Sequence, residues 1–407
     1  MHILIHGLNF SPELVGIGKY TGDLANYLAA KGHIVRVITA PPYYPQWKIL
    51  SGYSKGYSIE HIGNMKITRC PLYVPLRVTG LKRIFHLGSF AVFSFPIALR
   101  QTSFRPQIII SIAPAFVASP IALLVGKMTR SITWLHVQDF EIDAALNLGI
   151  INGSSLIKKF VFRLERMIYR RFQVVSTISN TMLKKVQEKG VLPEKTILFP
   201  NWIDTNEIYP LKGINPFREK LGLTSKDNVV LYSGSMGVKQ GIDILVKVAR
   251  CMQHILNLHF VICGDGPAKI GLMETARGLP NVHFLPLQSV EKLNFLLNLA
   301  DIHVLPQKSD ASDLVMPSKL LGILASGKPV IASCNFDSEL GRIVETVGYR
   351  VPPENVMALA EAIEYLILNP SIRRALGVGG RTFVCEQFSR EIVLELFEKQ
   401  LLNLSKF

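Results

Sequence analysis

Short apolar runs that close on glycine or proline, each followed by an amphipathic stretch, recur along the whole chain. His2-Ile3-Leu4-Ile5-His6 ends at Gly7; Leu24, Tyr27 and Leu28 then recur at helical spacing between Tyr20 and Lys31; Gly32 closes that segment, and Ile34 to Thr39 reads as a second strand. This is a βαβ unit, whose ligand crevice lies at the carboxyl ends of the strands. Further strands are predicted near 65–70, 108–112, 131–137 and 174–178. A second series begins at Val229-Val230-Leu231-Tyr232 and continues through 260–263, 282–285, 302–305 and 330–332, with amphipathic helices over 353–369 and 389–404. The alternation predicts an α/β protein of two doubly wound domains facing each other across a cleft. The expected boundaries are 1–200, 201–385 and a C-terminal helical segment, 386–407, packing back toward the N-terminal domain.

Composition refines this picture in three ways. The 407 residues are 48% hydrophobic and 18% charged, enough to build two cores. The five cysteines, Cys70, Cys251, Cys263, Cys334 and Cys385, have no CxxC spacing, which argues against a zinc site or a disulfide framework and for a reducing cytoplasm. The opening residues have no basic leader, so no signal peptide is expected. The apolar stretch 108–125 is divided by Pro114 and Pro120 and fits a buried strand and helix better than a membrane span. The net charge of +15 falls wholly in residues 1–200, which hold 24 Lys and Arg against 9 Asp and Glu. Such asymmetry indicates an anionic partner for the first half.

Two segments carry much of that charge. Residues 81–100 combine Lys82, Arg83 and Arg100 with four phenylalanines; residues 158–172 place Lys158, Lys159, Arg163, Arg166 and Arg170 largely opposite Phe160, Leu164, Met167 and Ile168. Basic amphipathic helices rich in aromatics suit an anionic membrane interface, although an ordinary packed surface helix has the same spacing. Nucleic acid is not expected, because no binding module accompanies the charge.

Candidate chemistry lies in the turns after the strands. Gly16 and Gly18 would let a phosphate or sugar approach the backbone, or serve only as tight-turn glycines; without a third glycine the dinucleotide fingerprint is incomplete. Tyr43, Tyr44 and Trp47 could stack on a sugar or merely pack. Strand 131–137 runs into Gln138-Asp139-Phe140-Glu141-Ile142-Asp143, and one of His136, Asp139, Glu141 and Asp143 could act as a general base or orient a hydroxyl. Asp139 or Asp143 could equally cap a helix. In the second half, Gly234-Ser235 with Lys239, Gly264 with Gly266, and Pro317-Ser318-Lys319 follow successive strands and together make an anion site. Ser318 is a candidate N-cap and Gly327 a helix stop. Lys319 opposes the helix dipole from the first turn, and a bound anion would reverse that sign.

These motifs together resemble the family 4 retaining glycosyltransferases of the GT-B fold. The carriers are SPELVGIGKYTGDLANYLAAKGHIVRVITAPPYYP, HVQDFEID, FPNWID, YSGSMGVKQGID, ICGDGP and MPSKLLGILASGKPVIAS, in the family's order over nearly the whole chain. The closest likeness is to the branch that builds colanic acid-like exopolysaccharides. The resemblance implies two Rossmann-like domains and metal-independent transfer of a sugar, with retention, from a GDP- or UDP-linked donor. The acceptor would be a polyprenyl-diphosphate-linked saccharide on the cytoplasmic face of the plasma membrane. It implies a C-terminal donor domain with Gly234, Lys239, Ser318 and Lys319 around the diphosphate. Gly16 and Gly18 would approach from the N-terminal domain, and Asp139 or His136 would lie near the reacting sugar. Two departures stand out: Ser235 replaces a basic residue, and neither Leu314 nor Gly322 supplies the family's paired glutamates. Asp310 or Asp313 could substitute. A nucleotide-sugar epimerase of the same fold and a non-catalytic scaffold of a polysaccharide assembly are the competing readings.

Overall fold

The computed structural model describes residues 1–77, 79–113, 116–140, 142–143, 155–237, 240–309 and 318–404. The chain divides into two compact units, Met1–Pro200 with Leu394–Phe407, and Asn201–Val393.

The first unit is built on an eight-stranded sheet. Its strands are β1 (His2–Gly7), β2 (Ile34–Thr39), β3 (Ser58–Ile62), β4 (Met65–Arg69), β5 (Ile108–Ala113), β6 (Ile132–Val137), β7 (Val174–Thr177) and β8 (Thr196–Leu198). Their spatial order is β3-β4-β2-β1-β5-β6-β7-β8, with β3 antiparallel to β4 and the other pairs parallel. The order reverses at β1, between β2 and β5, which makes the carboxyl end of β1 a topological switch point. Central strands buried on both faces need continuous apolar runs, and Ile3, Leu4, Ile5, Ile108, Ile109 and Ile110 are at most 1% exposed. The described helices are α1 (Ile17–Ala30), α2 (Gly80–Arg100), α3 (Ser119–Thr129), α4 (Ser155–Arg171) and α5 (Asn180–Glu188). Stretch 108–125 therefore resolves into β5 and the start of α3, and no described helix is long and apolar enough to cross a membrane.

The second unit repeats the plan with six parallel strands in the order β11-β10-β9-β12-β13-β14. They are β9 (Asn228–Ser233), β10 (Leu258–Cys263), β11 (Val282–Leu285), β12 (Ile302–Pro306), β13 (Val330–Ser333) and β14 (Tyr349–Val351). Its helices are α6 (Pro216–Lys220), α7 (Asp243–Cys251), α8 (Lys269–Thr275), α9 (Leu293–Leu299), α10 (Ser318–Ala325), α11 (Glu339–Val347), α12 (Val356–Leu368) and α13 (Pro370–Gln387). The switch point here lies between β9 and β12.

The helix α14 (Arg390–Leu404) brings the chain back to the first unit. There Phe397 stacks on Phe199 and tilts against Trp134, with centroids at 4.2 and 4.8 Å, while Glu398 accepts from Tyr27 Oη at 3.1 Å and meets His33 Nε2 at the same distance.

Candidate functional site

In the first unit, a cavity of about 180 Å³ opens at the switch point, lined by residues that include Asn9 and Gly16 after β1, Tyr43 and Trp47 after β2, Arg83 and His86 from α2, and Asp139 after β6. The loop that holds the aromatic residues is tied down from below. Glu13, 3% exposed, accepts from Asn9 Nδ2 at 3.0 Å, from the Tyr43 amide at 3.1 Å and from the Tyr44 amide at 3.0 Å. Burial pushes its carboxyl up, and those three donors pull it back. Gly18 belongs to this support rather than to the cavity lining. It is buried in the first turn of α1, where a side chain would run into Glu13. Gly16 is exposed at the helix entry with φ +66°, faces Tyr44, and does line the cavity.

The acidic segment after β6 separates into distinct roles. Asp139 stands at the cavity with its side chain exposed, yet protein on the remaining sides raises its carboxyl above the ordinary range; the Phe140 amide, Arg83 and Lys185 offset this in part. Asp143 is committed elsewhere. It accepts from Lys185 and Lys189, each at 2.8 Å, and Lys189 also donates to the buried Glu165 at 2.5 Å. Burial alone would raise the Asp143 carboxyl, but these hydrogen bonds bring it below its usual value. Both ammonium groups also lie over the Phe140 ring, at 4.9 and 5.3 Å, so the residue after Asp139 is clamped. Glu141 lies outside the described residues.

His136 does not line the cavity. Its Nδ1 is 2.9 Å from Ser176 Oγ, which also accepts from Trp134 Nε1 at 2.7 Å, and its ring tilts against Phe199 at 4.9 Å. It is 2% exposed, and burial lowers its pKa to about 3. Nearness in sequence to the strand end placed it among the candidates; strand alternation turns it, like Trp134, toward the side of the sheet where Phe397 packs.

In the second unit, the turns after β9 and β10 interlock. Gly234 N donates to Cys263 O at 2.8 Å, Met236 N to Asp265 O at 2.8 Å, and Ala268 N to Met236 O at 3.0 Å. A side chain at Gly264 would collide with the Gly234 carbonyl, and one at Gly266 would stand 2.6 Å from Met236 O. Both glycines have φ near +150°, at +148° and +149°, so only glycine suits the contact. Lys319, in the first turn of α10, lays the end of its side chain on Gly234. Its ammonium donates to Tyr232 Oη at 2.8 Å and sits 4.6 Å from the centre of that ring. Tyr232 Oη donates in turn to Ser235 O at 2.6 Å. Among the described residues no carboxylate pairs with Lys319, and burial lowers its pKa to about 8. Ser318 is exposed at the start of the described part of α10. Pro317, Lys239, Asp310, Asp313 and Leu314 lie outside the described residues. Gly322 is buried, with Leu297 Cδ1 at 3.3 Å from where its Cβ would be, so an apolar contact occupies the position of the missing glutamate.

The basic segments of the first unit also differ from the expected pattern. On α4, Phe160, Leu164 and Met167 are exposed, as are Lys158, Lys159, Arg163 and Arg166; Ile168 alone of the four apolar residues is buried. Lys159, Arg163, Arg166, Arg170 and Arg171 line an open groove of about 880 Å³ with Phe162 and Met167, and Arg170 also donates to Gly190 O at 3.0 Å. On α2, Lys82 is exposed among Leu81, Ile84, Phe85 and Val92, each more than half exposed, whereas Arg83 turns into the cavity.

Two α/β units, each built on a sheet that reverses order at a glycine turn, define a two-domain glycosyltransferase fold, and the chain belongs to the family 4 glycosyltransferases of GT-B architecture. Residues 15–202 match the glycosyl transferase 4-like domain and residues 214–383 the glycosyl transferases group 1. The chain is 41% identical over 378 residues to Escherichia coli (strain K12) WcaI, assigned as a colanic acid biosynthesis glycosyl transferase, with 91% of this chain and 93% of that one covered. Among solved structures, it superposes on sucrose-phosphate synthase from Thermosynechococcus elongatus with TM-score 0.74 at 18% identity, covering 99% of both chains. Anabaena HepE in complex with UDP and glucose superposes with TM-score 0.68 at 15% identity, covering 99% of this chain and 100% of that one.

Proposed function

We propose that this glycosyltransferase moves a sugar, with retention and without a metal, from a nucleotide-diphosphate donor held by the second unit to a lipid-diphosphate-linked saccharide, in the assembly of a colanic acid-like exopolysaccharide. The observation that carries the donor assignment is Lys319. A half-buried cation with no carboxylate partner among the described residues, at the N-terminal turn of α10 and against Gly234, is a site waiting for an anion. As the glycosidic bond breaks, charge gathers on the leaving diphosphate. A lysine already oriented by Tyr232, with the N–H groups of α10, stabilises that charge without reorganisation. Gly234, Ser235, Gly264, Gly266, Pro317, Ser318 and Lys239 complete the expected phosphate surroundings. Asp139 acts on the reacting sugar from the first unit, and His136 supports the fold of that unit.

The WcaI likeness supports the exopolysaccharide assignment. The mixed apolar and basic surfaces of α2 and α4 support work at an anionic membrane interface, where long basic side chains reach head groups beside inserted rings. An epimerase would need no such surface. The donor is tested by thermal shift with UDP-, GDP- and ADP-linked sugars, repeated with Lys319→Ala. A true donor stabilises by mass action, and loss of one charged hydrogen bond of about 1.5–3 kcal/mol weakens its binding roughly tenfold to a hundredfold. Failure of every donor to shift the wild type would sink the transferase reading.

A further inference from the structure

The first-unit cavity holds two polar groups that the described protein leaves without partners. His86 is 1% exposed; its Nδ1 lies 2.6 Å from Tyr73 O, and its Nε2 has no hydrogen-bond partner. A carbonyl oxygen only accepts, so Nδ1 carries the proton and the neutral ring presents Nε2 as a lone pair. Arg83, one helical turn earlier, makes no side-chain hydrogen bond or ion pair among the described residues. It acts electrostatically on both Asp139 and His86. Buried polar atoms normally find partners, so the orphaned His86 Nε2, with the half-buried and unpaired Arg83 beside it in the same cavity wall, points to a ligand that supplies one.

The remaining lining identifies its chemistry. The Trp47 ring tilts against His86 at 5.2 Å and lies edge-on to Tyr43 at 5.6 Å, while Tyr43 is edge-on to His86 at 4.8 Å. Trp47 is half-buried, whereas Tyr43 is 4% exposed, so Trp47 is the member of this trio able to yield to an incoming ring. The cavity, about 180 Å³, has room for a sugar ring. An aromatic face, an acceptor-only nitrogen, a carboxylate at Asp139 and an unpaired guanidinium suit a hydroxylated ring that bears an anion.

We propose that this cavity binds the phosphate-bearing sugar of the acceptor, with Arg83 on the phosphate, Trp47 on the ring face, and His86 Nε2 accepting from one ring hydroxyl and thereby selecting among sugars. This rests on the transferase reading only for the word acceptor. The same sugar-phosphate chemistry also occurs in the donor, so the test separates the two sources.

Trp134 and Trp202 are 0% and 4% exposed, which leaves Trp47 as the tryptophan whose fluorescence reports cavity occupancy. The full chain is titrated with the 1-phosphates of glucose, galactose and mannose, with the free hexoses, with inorganic phosphate, and with UDP-glucose and GDP-mannose; Trp47→Phe identifies the responding signal. The expected result is that one hexose 1-phosphate binds at least tenfold more tightly than its hexose or phosphate alone. Arg83→Gln should cost that ligand about tenfold to a hundredfold. His86→Asn keeps a donor toward Tyr73 and removes the ε acceptor, and should cost it about fivefold while leaving phosphate binding unchanged. His86→Gln, which returns an acceptor oxygen near the ε position, should recover most of that loss. Equal losses in His86→Asn and His86→Gln would reduce His86 to packing and overturn its selective role. No Trp47 response to any hexose phosphate, or a tighter Arg83-dependent response to the nucleotide sugars, would overturn the acceptor site. Donor stabilisation through Lys319 is read separately by thermal shift, so failure of the transferase reading is distinguishable.

Discussion

Replacing Gly234 by alanine adds a methyl group where the end of the Lys319 side chain lies, at a backbone φ of +135°. The backbone part costs about 1–3 kcal/mol, because a side chain rarely adopts that conformation. The steric part is different in kind. The obstructed atoms are Cε and Nζ of a flexible chain, so Lys319 yields by leaving Tyr232 Oη. Burial already disfavours its protonated form, so release into water returns part of that cost and the stability loss stays near the backbone figure. For a unit of this size the melting transition should fall by roughly 2–12 °C, while the shift produced by the nucleotide sugar shrinks as its affinity falls roughly tenfold to a hundredfold. Gly264→Ala gives the contrast, since its methyl meets the Gly234 carbonyl, which cannot swing aside; that variant should fail to accumulate as folded protein. The assay is a pair of melting curves for each variant, with and without saturating donor. Gly234→Ala melting lower but keeping the full wild-type donor shift would refute the placement of Lys319 on the diphosphate.

Lys319 also makes donor binding pH-dependent. Its pKa, lowered from 10.5 to about 8, rises again when phosphate binds, so donor affinity should fall as pH climbs through about 8, measured by calorimetry. The unfolded chain holds that proton up to a higher pH, so the same residue makes stability increase with pH between about 8 and 10.5; Lys319→Met should flatten both effects. Asp139→Asn should lower kcat by about 10²-fold or more and remove the acid limb of the pH–rate profile, whereas His136→Gln, at a ring neutral above about pH 3, should lower the melting temperature and leave that limb in place. Ile84→Asp with Phe85→Asp should weaken binding to vesicles containing phosphatidylglycerol more than tenfold, at about 1.5–3 kcal/mol per inserted apolar side chain, without changing the donor thermal shift. Equal sedimentation of this variant and wild type would remove α2 from the interface.

The central strands were legible because sheets covered on both faces leave no choice but continuous apolar runs, as at Ile108 to Ile112, whereas the edge strands β3 and β14, which lack such runs, were not predicted. Gly327, Gly234 and Gly264 were readable as stops and turns for the same kind of reason, a positive φ that few residues tolerate. Direction was much less legible. His136 and Asp139 are three residues apart, yet one faces the core and the other the cavity, and no spacing rule orients a residue past the end of a strand. Arg83 was grouped with Lys82 as a membrane cation, although His86, Phe90, Ser94 and Ala98 recur at helical spacing as the buried stripe of α2 and Arg83 lies at its edge. That stripe was the available signal. The support given by Glu13 to Tyr43 and Tyr44 spans some thirty residues and left no local trace. The helix α13 lies between the two helices predicted at 353–369 and 389–404 and was not predicted; Gly377 and Gly380 let it pack closely on Gly327 and Leu324.

The interlocking of the turns after β9 and β10 bears on how this enzyme can be recombined. Residues 233–237 and 264–268 exchange backbone hydrogen bonds and occupy each other's missing side-chain space, so neither turn has a shape independent of the other. A chimera whose crossover falls between them inherits two halves fitted to different partners. Crossovers outside this pair, before β9 or beyond α8, keep the block intact, and libraries aimed at a new donor should treat the two turns as a single heritable cassette.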